Sequence, residues 1–345
     1  MSDPQATIFS IGHFFSDQSH VLCRELRDAR RMTWGKTQRF TFSDYTRGHR
    51  GEWQEGGDPF SEHLRGQILV VWNGSMPHLL PLVEQARAKG MKLCFLENGL
   101  YPGTQQWDPE GINAGSTAAK IPGAAFRSRP VNEQIWRIDF DQRKVEYTQG
   151  QPGLPGDDSP LPLRYAFFPM QIQQDTQIQR YSPLYRSVED ALAAVYASLP
   201  DGLPLVVKEH PSERTRDGSC ARMRRYPKAI FCRYRPVAEL LRQASCVVTI
   251  NSSVGLQALV RRVPLITLGR TVYGRPEWCQ CVAAAEEDLP VALRRFTEYP
   301  VDTALLGAFL TWLRDSWSMP WQYPKMVARI RDITEGRAPW LEGLA

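Results

Sequence analysis

The chain has 345 residues, 42% of them hydrophobic, and a net charge of +5. Its length is enough for two α/β domains of roughly 150–180 residues each, and its charge is too mild for a nucleic-acid-binding arm. The seven cysteines are scattered without a CxxC pair, the only close ones being Cys279 and Cys281, which argues against a zinc ribbon or a disulfide framework.

From the N-terminus, Met1-Ser2-Asp3-Pro4 lacks the basic and apolar regions of a signal peptide. No apolar run approaches the ~20 residues that span a bilayer. The expectation is a reduced, cytoplasmic protein whose membrane contact is peripheral. Residues 7–12 (TIFSIG) read as a strand and 17–31 as a helix. Residues 67–73 (QILVVWN) form a buried strand, and Ser75-Met76-Pro77 opens a helix that ends near Lys89 at Gly90. The next strand, 91–96 (MKLCFL), runs into Glu97-Asn98-Gly99, a turn at a carboxyl strand end, where open α/β sheets bind ligands.

Residues 103–135 have little periodicity and read as a long polar loop, which is usually functional or disordered. Gln106, Asp108 and Asn113 lie in it and suit a polyhydroxylated ligand; a solvated surface loop is the plainer alternative. The proline- and glycine-rich stretch 149–162 reads as a linker. The expected domains are therefore 1–150, a linker at 151–162, 163–320, and a C-terminal helix at 321–345 that packs back on the first domain.

The second half repeats the layering. Strands are expected at 165–170, 203–208, 229–233, 246–250 and 264–268, and helices at 185–198, 236–243 and from Ser253 onward. Leu305, Leu306, Phe309, Leu310, Leu313 and Trp317 mark one apolar helix face, and a last helix covers 322–335. The resulting fold class is α/β: two Rossmann-like domains in a GT-B-like glycosyltransferase architecture, with C-terminal helices closing an active-site cleft.

Several segments could carry chemistry. Lys208-Glu209-His210-Pro211 ends a strand, where a cation and an imidazole could meet a nucleotide phosphate; it could equally be a plain strand-ending turn. Asn251-Ser252-Ser253-Val254-Gly255 joins a strand to a helix whose first amides are unpaired, a setting that binds phosphate or needs only a capping serine. Gln171, Gln173, Gln174 and Gln177 surround Asp175, a carboxylate that could act as a nucleophile or could belong to a polar connection. The arginines at 214–225 suit either a solvated face or the steering of an anion. No P-loop, HExxH or GxSxG pattern is present, and the histidines show no metal-ligand spacing.

Together these segments resemble the capsular polysaccharide Kdo-transferase family of the KpsS/KpsC type. The resemblance rests on Ile68 to Gly74, Phe95-Leu96-Glu97-Asn98-Gly99, Pro102-Gly103-Thr104, Asp108-Pro109-x-Gly111-x-Asn113-Ala114, Phe168-Pro169-x-Gln171 with Asp175-x-Gln177-Ile178, Lys208-x-His210-Pro211, Asn251-Ser252-Ser253 and Val263-Pro264. It implies transfer of Kdo from CMP-Kdo to a glycolipid or oligosaccharide acceptor, with retention by double displacement. It further implies Asp175 as nucleophile, Glu97 as acid/base, His210 as a third catalytic group, and a CMP site of Lys208, His210, Asn251, Ser252 and Ser253. Asn98, Gly99, Gln106, Asp108, Asn113, Gln171 and Gln177 are the implied substrate contacts. No metal or cofactor is implied beyond the CMP-sugar substrate, and the partners are the inner-membrane face or the capsule assembly machinery, not nucleic acid. CMP-sialic acid as donor, or a non-catalytic carbohydrate-binding role, are the alternatives. Residues 1–65, with the polar and aromatic stretch Thr41 to Gly57, depart from the family pattern.

Overall fold

A computed structural model describes residues 7–11, 36–39, 68–77, 79–140, 153–210, 216–282, 285, 287–320 and 322–344. The expected helix at 17–31 and the stretch Thr41 to Gly57 lie outside them. The chain divides into two compact units, residues 1–120 with 314–345 and residues 121–313. These boundaries differ from the expected ones. Residues 121–140, expected in the first domain, belong to the second unit, and the return at Arg314 precedes the expected C-terminal segment.

The first unit holds strands β1 (Thr7–Ile11), β2 (Lys36–Arg39), β3 (Ile68–Trp72), β4 (Lys92–Asn98) and β5 (Thr104–Asp108). The second unit holds β6 (Tyr165–Pro169), β7 (Leu205–Lys208), β8 (Ala229–Cys232), β9 (Ala244–Thr249), β10 (Leu265–Thr267) and β11 (Gln280–Cys281). A last short strand, β12 (Met319–Pro320), returns to the first unit.

The first sheet has the order β12-β5-β4-β3-β1-β2. Strands β1 to β4 pair in parallel, while β5 runs antiparallel to β4 and β12 antiparallel to β5. All five residues of β3 are buried, as its unbroken apolar run requires in a sheet covered on both faces. The helix Leu80–Ala88 packs Leu82, Val83 and Ala86 into the same core as Leu69, Val71, Leu93 and Phe95.

Strand β5 replaces part of the expected loop. Its sequence, TQQWD, has no apolar alternation, yet four of its five residues are buried because the polar side chains pair inside the fold. The remainder of 103–135 forms short turns of 3-10 helix and the helix Thr117–Lys120.

The second sheet is parallel throughout, in the order β11-β10-β9-β6-β7-β8. The chain builds outward from β6 through β7 to β8, then crosses back to the other side of β6 and builds outward again through β9, β10 and β11. The carboxyl ends of β6 and β9 therefore flank the topological switch point, where doubly wound sheets open a crevice. Phe167, Val206, Val207, Val247 and Val248 are fully buried, each contributing about 1.5–3 kcal/mol through its burial.

The expected linker is only partly described, and its described part is anchored. Asp157 Oδ1 accepts from the backbone N–H of Arg233, Tyr234 and Arg235 at 2.8, 2.7 and 3.2 Å. Gly156 lies so close to the sheet that a Cβ there would meet Phe231 O at 2.5 Å. Residues 153–162 thus dock on β8 rather than hang free, because an aspartate can gather three backbone donors that a turn leaves unpaired.

The six residues of the expected apolar face at 305–317 are all buried. They are carried by the helix Thr303–Trp312 and the wider turn Leu313–Trp317 that continues it. The last helix runs Tyr323–Thr334. Among the described residues no helix is long and apolar enough to cross a membrane.

Candidate functional site

The second unit gathers the candidate donor-site residues at its switch point. Gln171 follows β6 and Asn251 follows β9, and the two side chains join the strand ends. Gln171 Nε2 donates to Asn251 Oδ1 at 2.9 Å, and Asn251 N donates to Gln171 Oε1 at 3.1 Å. Asn251 Nδ2 then donates to Gln177 O at 2.9 Å. Every polar atom of the Asn251 side chain is thereby committed, and the residue acts as a brace.

Asp175 caps a helix, Thr176–Tyr181, that the sequence pattern does not reveal. Its Oδ1 accepts from Gln177 N at 2.9 Å. Burial pushes the Asp175 carboxyl above its ordinary value, against the pull of the Gln177 N–H and the Gln171 side chain. A carboxylate half-withdrawn from water, with one oxygen fixed by a cap, is oriented and poorly solvated, as a nucleophile should be. The Gln177 amide is 7% exposed, and neither its oxygen nor its nitrogen finds a partner among the described residues.

Ser252 caps the helix Ser253–Val260, its Oγ accepting from Val254 N at 3.2 Å, and Ser253 is half-buried at the first helical position. Tyr273, fully buried, donates its hydroxyl to Ser252 O. The glycine of Asn-Ser-Ser-x-Gly has a packing reason: a Cβ on Gly255 would collide with the Tyr273 ring. Tyr273 was not legible in the sequence, since nothing local ties it to a serine 21 positions earlier.

Lys208 ends β7, the neighbour of β6, and His210 follows two residues later. Lys208 is buried and its Nζ donates to Arg233 O at 2.5 Å; burial lowers its pKa. It therefore stands behind the turn, committed to the backbone, rather than offered to a ligand as expected. His210 is half-buried, and residues 211–215 lie outside the described set.

Between them Glu209, 1% exposed, is clasped by two arginines. Its Oε2 accepts from Arg233 Nε and Nη2 at 3.2 and 2.7 Å, and its Oε1 from Arg222 Nη1 at 3.3 Å. Arg233 Nη2 also donates to Ser219 Oγ at 2.8 Å. This ion pair network, missed in the sequence, fixes the exit of β7. Arg222 thus leaves the supposed steering run to serve in the interior.

The first unit places Glu97 near the carboxyl end of β4, beside the end of β3. Asn73 Nδ2 donates to Glu97 Oε2 at 3.1 Å, and Asn98 N donates to Glu97 Oε1 at 2.8 Å. Asn73 has φ 60°, and its Oδ1 accepts from Ser75 N at 3.0 Å, so its amide cannot flip away from Glu97. The Asn-Gly pair after a strand was the available signal for this left-handed turn. Asn98 is exposed, and Gly99 is packed so closely that a Cβ would strike Thr104.

Two of the other expected substrate contacts in this unit, Gln106 and Asp108, are interior, and the third, Asn113, is half-buried and pairs with Gln106. Gln106, fully buried, donates to Asn98 O at 2.9 Å and to Asn113 Oδ1 at 2.7 Å, and its Oε1 accepts from Asn113 N at 2.8 Å. Asp108, also fully buried, accepts from Glu110 N, Thr117 N, Thr117 Oγ1 and Trp317 Nε1 at 2.9, 3.0, 2.5 and 3.1 Å. Burial pushes the Asp108 carboxyl up while these donors pull it down. The polar atoms of Gln106 and Asp108 are committed to the loop that frames Asn98, and contact with a substrate is not what their geometry offers.

A model of the family described as "Capsule polysaccharide biosynthesis protein" matches residues 125–277, a stretch inside the second unit that contains the whole switch-point cluster. Over that stretch the chain is similar to the capsule polysaccharide biosynthesis family. Protein FixF of Sinorhizobium fredii is 32% identical over 226 residues, covering 63% of this chain and 53% of that protein. The capsule polysaccharide export protein KpsS of Escherichia coli is 32% identical over 152 residues, covering 41% of this chain and 36% of KpsS. The chain thus spans about half the length of FixF and about a third of KpsS. Among solved structures, the β-Kdo 2,7 transferase of Thermosulfurimonas dismutans KpsC matches with a TM-score of 0.52 at 16% identity, over 95% of this chain and 99% of that one. That likeness concerns the fold: two Rossmann-like units, as in GT-B-like glycosyltransferases.

Proposed function

We propose that this protein is a glycosyltransferase of the capsule polysaccharide biosynthesis family that moves Kdo from CMP-Kdo to a capsule-linker glycan or glycolipid, with retention. The reading is carried by one observation: Gln171, Asp175, Asn251 and Ser252 converge at the switch point of a parallel sheet, where nucleotide ligands bind. KpsC, which shares the fold, is described as a β-Kdo transferase, and KpsS as a capsule export protein.

On this reading a CMP phosphate meets the N-terminal amides of the helix Ser253–Val260 with the hydroxyls of Ser252 and Ser253, and His210 protonates or hydrogen-bonds the departing phosphate oxygen. Asn251 and Lys208 hold that corner from behind. Asp175 attacks the anomeric carbon as the bond to CMP breaks, giving a covalent sugar adduct. Glu97, held by Asn73 and Asn98 N, removes the acceptor hydroxyl proton, and the acceptor oxygen then displaces Asp175. Asn98, Gly99 and Gln177 are the sugar-facing candidates. The site needs no cofactor, and the enzyme works at the inner-membrane face in peripheral contact with it or with capsule assembly proteins.

The test is incubation with CMP-Kdo and, separately, CMP-sialic acid, followed by intact mass of the protein and assay of CMP release. The expected result is one Kdo added to the wild type and none to Asp175→Asn, which keeps the helix cap but cannot be a nucleophile. A sialic acid adduct would change the donor. Turnover by Asp175→Asn would remove the assigned nucleophile, and no turnover with either donor would favour a carbohydrate-binding role.

A further inference from the structure

The one close cysteine pair of the sequence lies outside the chemistry described so far. Cys279 and Cys281 bring their sulfurs to 3.6 Å, van der Waals contact, although they are separated by Gln280 in the chain. Their surroundings differ sharply. Cys279 is 1% exposed, whereas Cys281 is exposed to solvent. Cys281 lies on β11, the edge strand of the second sheet, opposite Thr267 of β10.

We propose that Cys281 and Cys279 form a thiol–disulfide exchange site whose substrate is a low-molecular-weight disulfide, Cys281 being the attacking and Cys279 the resolving thiol. The Cys281 thiolate attacks one sulfur of the small disulfide, forming a mixed disulfide and releasing one small thiolate, which takes up a proton. Cys279 then gives up its proton to solvent and attacks Cys281 Sγ, releasing the second small thiolate. The net change oxidises two protein thiols to one disulfide and reduces one small disulfide to two thiols. The sulfurs need approach by only about 1.5 Å to reach bonding distance.

The titration of the two groups supports these roles. The hydrogen bond between the two sulfurs, with the Thr267 hydroxyl and the Arg275 charge, lowers the Cys281 pKa against its burial. The same hydrogen bond and complete burial raise that of Cys279. Attacking thiols are accessible and low in pKa, and resolving thiols are shielded beside them. The other described cysteines lack this combination: Cys94, Cys232 and Cys246 are buried with raised pKa values, and Cys220 is half-buried.

A disulfide between positions two apart closes a tight ring, and strained disulfides are the readily reduced ones. The bond is therefore reversible. Its formation acts on the turn that holds Tyr273, because Cys279 N donates to Arg275 O at 3.0 Å and Trp278 Nε1 donates to Tyr273 O at 2.7 Å. The inference does not rest on the transferase reading.

The experiment treats the reduced 345-residue chain with oxidised glutathione in the absence of oxygen, quenches with an alkylating agent, and maps the products by mass. The expected product has lost two hydrogens, located to the peptide that contains Cys279 and Cys281, and dithiothreitol restores both thiols. Cys279→Ser should stop at a glutathione adduct on Cys281, and Cys281→Ser should leave Cys279 unreacted. Alkylation of both thiols after treatment, a stable glutathione adduct on wild-type Cys281, or reaction confined to other cysteines would each overturn the assignment.

Discussion

Glu209→Gln tests whether the buried ion network holds the exit of β7. The substitution preserves volume and one acceptor oxygen but removes the negative charge from a side chain that is 1% exposed. Arg233, whose side chain is 4% exposed, then loses the charge that faces its buried guanidinium, although its hydrogen bond to Ser219 Oγ stays. Arg222 is cushioned, because it also pairs with Glu189, which is 39% exposed. Breaking a buried pair by removing one partner costs about 3–5 kcal/mol; with Arg222 cushioned and a neutral acceptor retained, we expect about 3 kcal/mol. For a urea slope of about 1–3 kcal/mol per molar, the unfolding midpoint of the second unit falls by about 1–3 M. Urea melts followed by tryptophan fluorescence and by circular dichroism measure this. Glu298→Gln is the control, since its pair with Arg295 is about 70% exposed on both sides and should be worth well under 1 kcal/mol. An unchanged midpoint for Glu209→Gln would show that the two arginines find water or other partners, and that the network does not fix the turn before His210.

Three further outcomes are expected. Burial raises the Asp175 pKa above 3.8, so the folded state binds the proton more tightly than the unfolded chain; the stability this group supplies is complete below that value and is lost as pH rises through the folded pKa. Asp175→Asn should therefore gain stability relative to wild type as pH rises from about 4 to 7, and a constant difference across melts in that range would contradict the direction. Asn73→Ala withdraws a donor from Glu97, so on the proposed transferase reading the transfer rate should fall several-fold, the worth of about 1 kcal/mol; a rate equal to wild type would deny Asn73 a positioning role. Tyr273→Phe removes one hydrogen bond to Ser252 O, with an expected loss of about 1 kcal/mol and a several-fold rise in donor KM; a KM identical to wild type would place the phosphate elsewhere.

Much of the layered fold was legible because parallel strands buried on both faces must be continuous apolar runs. ILVVW, YAFFP and LVVK could be little else, and the ends of KLCFLEN, YAFFP, LVVK and ASCVVT were where the sequence placed Glu97, Asp175, His210 and Ser252. Strand β5 was not legible, since TQQWD is polar and becomes a strand only when its amides and carboxylate are paired inside the fold. Gln106 and Asp108 were misread for the same reason: a polar side chain in a glycine-rich stretch looks like a ligand contact until its partners are known.

The sequence alone determined the α/β layering, the absence of long apolar spans and the order of the turns that carry reactive side chains, because these depend on local periodicity. Tertiary structure alone decided the order of strands, which puts β6 beside β9 and so joins Gln171 to Asn251 across the switch point. It also decided which charges face inward, as Glu209 and Arg233 do. Such pairings depend on distances between residues remote in the chain, and burial then fixes whether a polar group serves a ligand or the fold.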